Sequence, residues 1–219
     1  MQITISRGPE GARTATGHVV IIDVIRAFTT AAYAFAAGIE EIELVATIEE
    51  ALSRPGFRMG EVGGRLVPGF DHNNSPNWLM GRRLSGLAVQ RTGSGTQGVI
   101  LANQTQTLWL GSLVVASATA RALQSKDEVT LVAMNTYTEG PEDEDLAAAL
   151  YLEALLRGKP PPTERVLAMV RDSRDAELLA PNDPDKPIED PGCCTAIDAF
   201  DFAMRVDRQN GHLIAKPWQ

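Results

Sequence analysis

Cysteine is almost absent from this 219-residue chain, and its scarcity removes several chemistries at once. The only two, Cys193 and Cys194, are neighbours. Adjacent cysteines rarely bridge one another, and two cannot build a disulfide framework. Thr195 and Ala196 follow them, so the arginine spacing of a tyrosine-phosphatase nucleophile is missing. Histidine is equally sparse: His18, His72 and His212 are scattered, and no Cys/His cluster suggests zinc. No apolar run reaches the roughly 20 residues of a membrane-spanning helix. The opening MQITISRGPEGART has no apolar signal core. Positive charge is short too. Twenty Lys and Arg against 28 Asp and Glu give a formal charge of −8. That balance argues against nonspecific binding to nucleic acid or an anionic membrane, while leaving room for a local basic pocket. These features read as a cytoplasmic protein.

What is present is an ordinary globular composition, 44% apolar and 22% charged. The length suits one sizeable domain or two small lobes around a core. The organising stretch is VVIIDVIRAFTT, Val19 to Thr30. Val19 to Ile22 does not alternate apolar with polar, so it reads as a strand buried on both faces. Asp23 then falls at the strand's carboxyl end, where open α/β sheets place ligands. Arg26, Thr29 and Thr30 fall near the start of an alanine-rich helix, Ala27 to Ala37, which Gly38 can cap.

Elsewhere the pattern predicts strands at 2–6, 43–45, 87–90 and 129–134, the start of a further element at 99–102, and a terminal strand or tail at 211–217. It predicts helices at 114–123, 146–156, 163–170 and 195–204, and one from Thr47 to Leu52, where Glu50 completes a capping box. Residues 8–17 read as a turn or loop, 57–77 as a long glycine-rich connection or binding loop, and 180–192 as a proline-rich acidic connection. Strands alternating with helices give an α/β class: layered, mostly parallel sheet flanked by helices. Two lobes joined by the glycine-rich middle are compatible with the sequence, as is a homodimer.

Four polar stretches follow or border predicted strands. The first is Asp23 with Arg26, Thr29 and Thr30. The second is Gly60-Glu61-Val62-Gly63-Gly64 with Gly69-Phe70-Asp71-His72-Asn73-Asn74-Ser75-Pro76. The third, Arg91-Thr92-Gly93-Ser94-Gly95-Thr96, is a small hydroxylated loop able to form a nest of N–H donors around phosphate oxygens, with Arg91 as a fixed bidentate donor. It lacks the Walker lysine and is no dinucleotide fingerprint. The fourth, Glu139 to Asp145, is a dense group of oxygen ligands. Magnesium needs only one or two such carboxylates, keeping waters and substrate phosphate for the rest. Each stretch has a plain alternative as a helix cap, a tight turn or a charged first helical turn. Together the four suggest a metal-assisted phosphate site.

VVIIDVIRAFTT, GEVGG, GFDHNNSP, RTGSGTQG and GPEDED, in that order and spacing, resemble the 2-phosphosulfolactate phosphatase family over about Val19 to Pro217. The resemblance implies an α/β fold and magnesium-dependent hydrolysis of (R)-2-phospho-3-sulfolactate to 3-sulfolactate and phosphate, a step of coenzyme M biosynthesis. By motif it marks Asp23, Arg26 and Thr30, then Glu61, Gly63 and Gly64, then Asp71, Asn74, Ser75 and Pro76, then Gly95 and Thr96, then Glu142 and Asp143. The chain departs from the family at Val62, where arginine is frequent, at Ser94, where asparagine is frequent, and near Val132, where a following cysteine is missing.

The expected mechanism has magnesium on Asp143 or Glu142 with Glu61 or Asp23 as the further carboxylate. Arg26, Arg91 and the amides of Gly93 to Thr96 hold phosphoryl oxygens, helped by Thr30, Asn74, Ser75 and Thr92. Water attacks, with Asp23 as base. A covalent aspartyl intermediate is less favoured, because the second acid of haloacid-dehalogenase-type phosphatases would stand at Ile25. The alternative function is a regulatory protein that binds a phosphometabolite and has lost turnover, which Val62 and Ser94 motivate.

Overall fold

Val19 to Ile22 lies in strand β2 (Gly17–Ile22), fully buried from Val19 onward. Val19 and Ile21 enter one hydrophobic cluster, Val20 and Ile22 another. The uninterrupted apolar run therefore serves two cores, one on each face of the sheet. The chain's structure is a computed structural model that describes residues 1–135 and 143–219.

Among the described residues the sheet has ten strands. β1 (Gln2–Arg7), β8 (Glu128–Ala133), β2 and β7 (Thr105–Gly111) form one parallel block. The antiparallel pair β9 (Ala203–Gln209) and β10 (His212–Trp218) joins it to a second block of β3 (Ile39–Leu44), β6 (Gly86–Arg91) and β4 (Phe57–Val62). The short β5 (Arg65–Leu66) closes that edge, antiparallel to β4. The mostly parallel α/β class expected from the sequence holds. Helices α2 (Ala27–Ala36) and α5 (Gly95–Leu101) pack on one face, and α6 (Ala116–Leu123), α7 (Glu144–Leu156) and α8 (Thr163–Arg171) on the other.

The two parallel blocks run in opposite senses along the sheet, yet the carboxyl ends of β2 and β6 meet. The strands are five places apart. Each step turns by roughly 20–25°, so roughly 100° or more accumulates between them. Curled this way, the sheet wraps α2 and α5, whose apolar residues share a cluster with strands of both blocks. The closeness is measurable at Gly95, where a Cβ would stand 2.8 Å from Asp23 Oδ2.

Local rules hold at most elements. Thr47 caps α3 (Ile48–Ser53), with the Glu50 amide on its side chain and the Glu50 carboxylate on the Thr47 amide. Three expectations fail. Residues 8–14 form helix α1 (Gly8–Thr14), whose Pro9 in the first turn suits a helix start as well as a turn. Residues 57–77 contain β4 and β5, hidden by Gly60, a strand glycine at φ +141. Residues 195–204 are not helical. Asp198 takes φ +54 and turns its carboxylate to the Ser117 amide and hydroxyl, so the segment caps α6 before entering β9.

Candidate active site

Asp23 leaves β2 with its amide on the Gly111 carbonyl at 3.2 Å. Its Oδ1 accepts the Ala27 amide at 2.9 Å, the first N–H of α2, and the Gly95 amide also donates to the carboxylate. Burial raises its pKa to about 7. Repulsion from Asp175 and Glu61 adds to the rise, and the two amides oppose it.

Glu61, at the end of β4, is fixed by backbone alone. Its Oε2 accepts the Gly64 amide at 2.6 Å and its Oε1 the Gly93 amide at 2.5 Å. The loop after β6 is thus an N–H nest whose donors face the protein's own carboxylates. Gly93 serves Glu61 and Gly95 serves Asp23. Thr92 and Thr96 lock each other, the Thr96 amide on Thr92 Oγ1 at 3.1 Å and the Thr92 amide on Thr96 Oγ1 at 2.9 Å. The nest positions acids, a role different from the expected cradle of amides around phosphate.

Arg26 is buried beside this loop. Its Nη1 donates to Asp190 Oδ2 and to the Asp185 carbonyl, each at 2.8 Å. Asp190 Oδ1 in turn accepts the Ser75 hydroxyl at 2.7 Å and the Asn77 amide at 3.1 Å. Ser75 therefore orients the partner of Arg26. Asn74 Oδ1 accepts Gln90 Nε2 at 3.2 Å, which leaves its amide nitrogen as donor.

The acidic stretch divides its labour. Glu142 lies outside the described residues. Asp143, expected as a metal ligand, caps α7 by accepting the Leu146 amide at 2.7 Å and pairs its other oxygen with Arg7. Asp145 accepts the Val24 amide at 2.7 Å and the Asn135 amide at 2.9 Å, tying the ends of β2 and β8 together. Glu144 is buried, accepts from Asn135 Nδ2 at 3.1 Å, and keeps Oε2 without a hydrogen-bond partner among the described residues. Burial, with repulsion from Asp175, raises its pKa to about 8.

A cavity of about 340 Å³ opens over these groups. Of the expected residues, Asp23, Arg26, Glu61, Asn74, Thr92 and Ser94 line it. Five do not. Thr30 is buried in α2 with its hydroxyl unpartnered among the described residues. Arg91 spends its guanidinium on the carbonyls of Ala46 and Glu61. Ser75, Gly95 and Thr96 act one residue back, through Asp190, Asp23 and Thr92. Asp71 accepts the Arg58 amide, a turn contact.

Two charged lining residues escaped the sequence reading, Asp175 on α9 (Arg174–Glu177) and Lys186. The only signal for Lys186 was a cation inside an acidic, proline-rich connection. Val62 is exposed and not part of the wall, whereas Ser94 is. Burial raises the pKa of both thiols, well above the usual range for Cys194, which disfavours the thiolate.

No group of three or more His, Cys, Asp or Glu side chains able to hold a metal is found among the described residues. Glu61 is fixed by two amides, Asp175 shares the wall, and both repel Asp23. A hard dication would relieve that repulsion with substrate oxygens and waters completing its shell.

Residues 5–183 match the family model described as 2-phosphosulpholactate phosphatase. The chain belongs to this family. A relative from Bacillus subtilis (strain 168), named "Probable 2-phosphosulfolactate phosphatase", is 30% identical over 97% of this chain and 96% of its own. Relatives of the same name from Carboxydothermus hydrogenoformans and Prochlorococcus marinus are 37% and 31% identical. They cover 71% and 73% of this chain, and 68% of each relative. The 2-phosphosulpholactate phosphatase model spans the loops carrying Asp23, Glu61, Asn74, Thr92 and Ser94, and Asp175, but stops short of Lys186 and Asp190.

Proposed function

We propose that this protein is a magnesium-dependent phosphatase that hydrolyses 2-phospho-3-sulfolactate to 3-sulfolactate and phosphate. The observation that carries the reading is Asp23: a carboxylate at the mouth of a strand, held by two backbone amides, with a pKa near 7 and Arg26 in the same cavity wall. A base works best when its pKa lies near the working pH.

Phosphoryl transfer depends on positioning and charge neutralisation. Arg26, locked by Asp190 and the Asp185 carbonyl, offers a fixed cation to phosphoryl oxygens without reorganising. The Asn74 amide nitrogen adds a donor to the same wall, whereas the Thr92 and Ser94 hydroxyls that line it point their protons to Thr96 Oγ1 and the Met134 carbonyl. Asp23 takes a proton from the attacking water. Glu61 and Asp175 would hold magnesium, which supplies charge neutralisation at the phosphoryl group.

The family of the chain and the names of its relatives support the substrate. The test is free-phosphate release from 2-phosphosulfolactate and a panel of small phosphate monoesters, before and after chelation. Release that stops with EDTA and returns with magnesium is expected. No release from any ester overturns the phosphatase, and release that survives thorough chelation overturns the metal.

A further inference from the structure

Lys186 stands apart from the rest of the cavity wall. Arg26 has an acid partner in Asp190. Lys186 lines the same cavity, makes no ion pair within 4 Å among the described residues, and faces the longer-range charge of Asp175 in that wall. Its side chain lies across the turn after β4, with Nζ 3.0 Å from where a Cβ at Gly64 would sit. That turn allows the approach because Gly64 has no side chain and takes φ +78. The backbone beneath is fixed: the Lys186 amide bonds to the Asp183 carbonyl, and the Asp185 carbonyl accepts Arg26 Nη1 and Asn73 Nδ2. The loop carrying Lys186 is therefore anchored to the guanidinium at the cavity floor.

The two cations differ in depth. Arg26 is buried, at 6% exposure, while Lys186 is half-buried. A phosphate ester held at Asp23 and Arg26 would leave its organic part toward the Lys186 side. We propose that Lys186 recognises a second anionic group, a carboxylate or sulfonate, on the substrate. It thereby selects phosphorylated organic acids over phosphate esters of neutral alcohols. This assignment rests on the phosphatase reading and adds which part of the substrate the chain selects. An ammonium suits such a contact because it is a compact point charge with three donors on a flexible stem, tolerant of either anion's geometry.

The test compares wild type with Lys186→Ala and Lys186→Arg. For each, kcat and KM are measured on 2-phosphosulfolactate and on isopropyl phosphate, which has the ester and no second anion. Binding of 3-sulfolactate, the product without phosphate, and of inorganic phosphate is measured by calorimetry. Losing a charge-assisted hydrogen bond lowers binding by roughly 10–100-fold. Lys186→Ala is expected to raise KM for 2-phosphosulfolactate by that factor with kcat little changed. It should leave isopropyl phosphate and inorganic phosphate unaffected, and Lys186→Arg should restore most of the loss. Equal losses on both esters would assign Lys186 to the phosphate and overturn the proposal. So would 3-sulfolactate binding that Lys186→Ala does not weaken. A wild type that binds 3-sulfolactate but hydrolyses neither ester removes the phosphatase reading, and the binding comparison still decides Lys186. A wild type that does neither overturns both.

Discussion

Asp23 shows how one side chain links stability to chemistry. Its pKa is about 7 in the fold against the ordinary 3.8 of an aspartate in water. Between those values the folded chain holds a proton that the unfolded chain has released. Stability from this group is thus full below pH 3.8 and is lost as pH rises toward 7. Glu144, raised to about 8, acts with the same sign. Metal-free protein should therefore resist urea better at pH 5 than at pH 8, and Asp23→Asn should flatten that difference. The same substitution should slow turnover by roughly 10²–10⁴-fold, the usual worth of a positioned base. Arg26→Ala should cost about 3–5 kcal/mol, because Asp190 would stay buried without its partner. Urea unfolding reads that loss directly.

At the level of elements, caps and buried runs were legible because they depend on neighbours in sequence. Four apolar residues announced β2, and Thr47 with Glu50 announced α3. Thr47→Ala should cost about 1 kcal/mol and leave phosphate release unchanged. Asp143 marks where local reading ran out, since an acid before a helix serves as well for a cap as for a metal. The structure gives it the Leu146 amide and Arg7. Asp143→Ala should accordingly lower stability by about 0.5–2 kcal/mol, with little change in the magnesium concentration needed for activity. A collapse of magnesium dependence with stability intact would mean that it binds metal. The same ambiguity hid β4 behind Gly60 and mistook the α6 cap around Asp198 for a helix.

Across the whole molecule, the site exists because a ten-stranded sheet curls until strands five places apart share a mouth. No sequence window contains that fact. Asp23, Glu61 and Gly93 to Gly95 come together through two backbone amides donated to acids from distant loops. Motif order showed that these loops belong to one family, but not that the nest faces carboxylates or that Arg91 turns to carbonyls. Lys186 enters the wall from a segment whose composition suggested only a connection, and Asp175 from residues between the predicted elements.

The most direct measurement is phosphate release from 2-phosphosulfolactate by wild type and Asp23→Asn, with magnesium present and equal folded content shown by circular dichroism. Rapid release by wild type and its near-complete loss in the folded variant is the predicted result. Near-normal turnover by Asp23→Asn would contradict it.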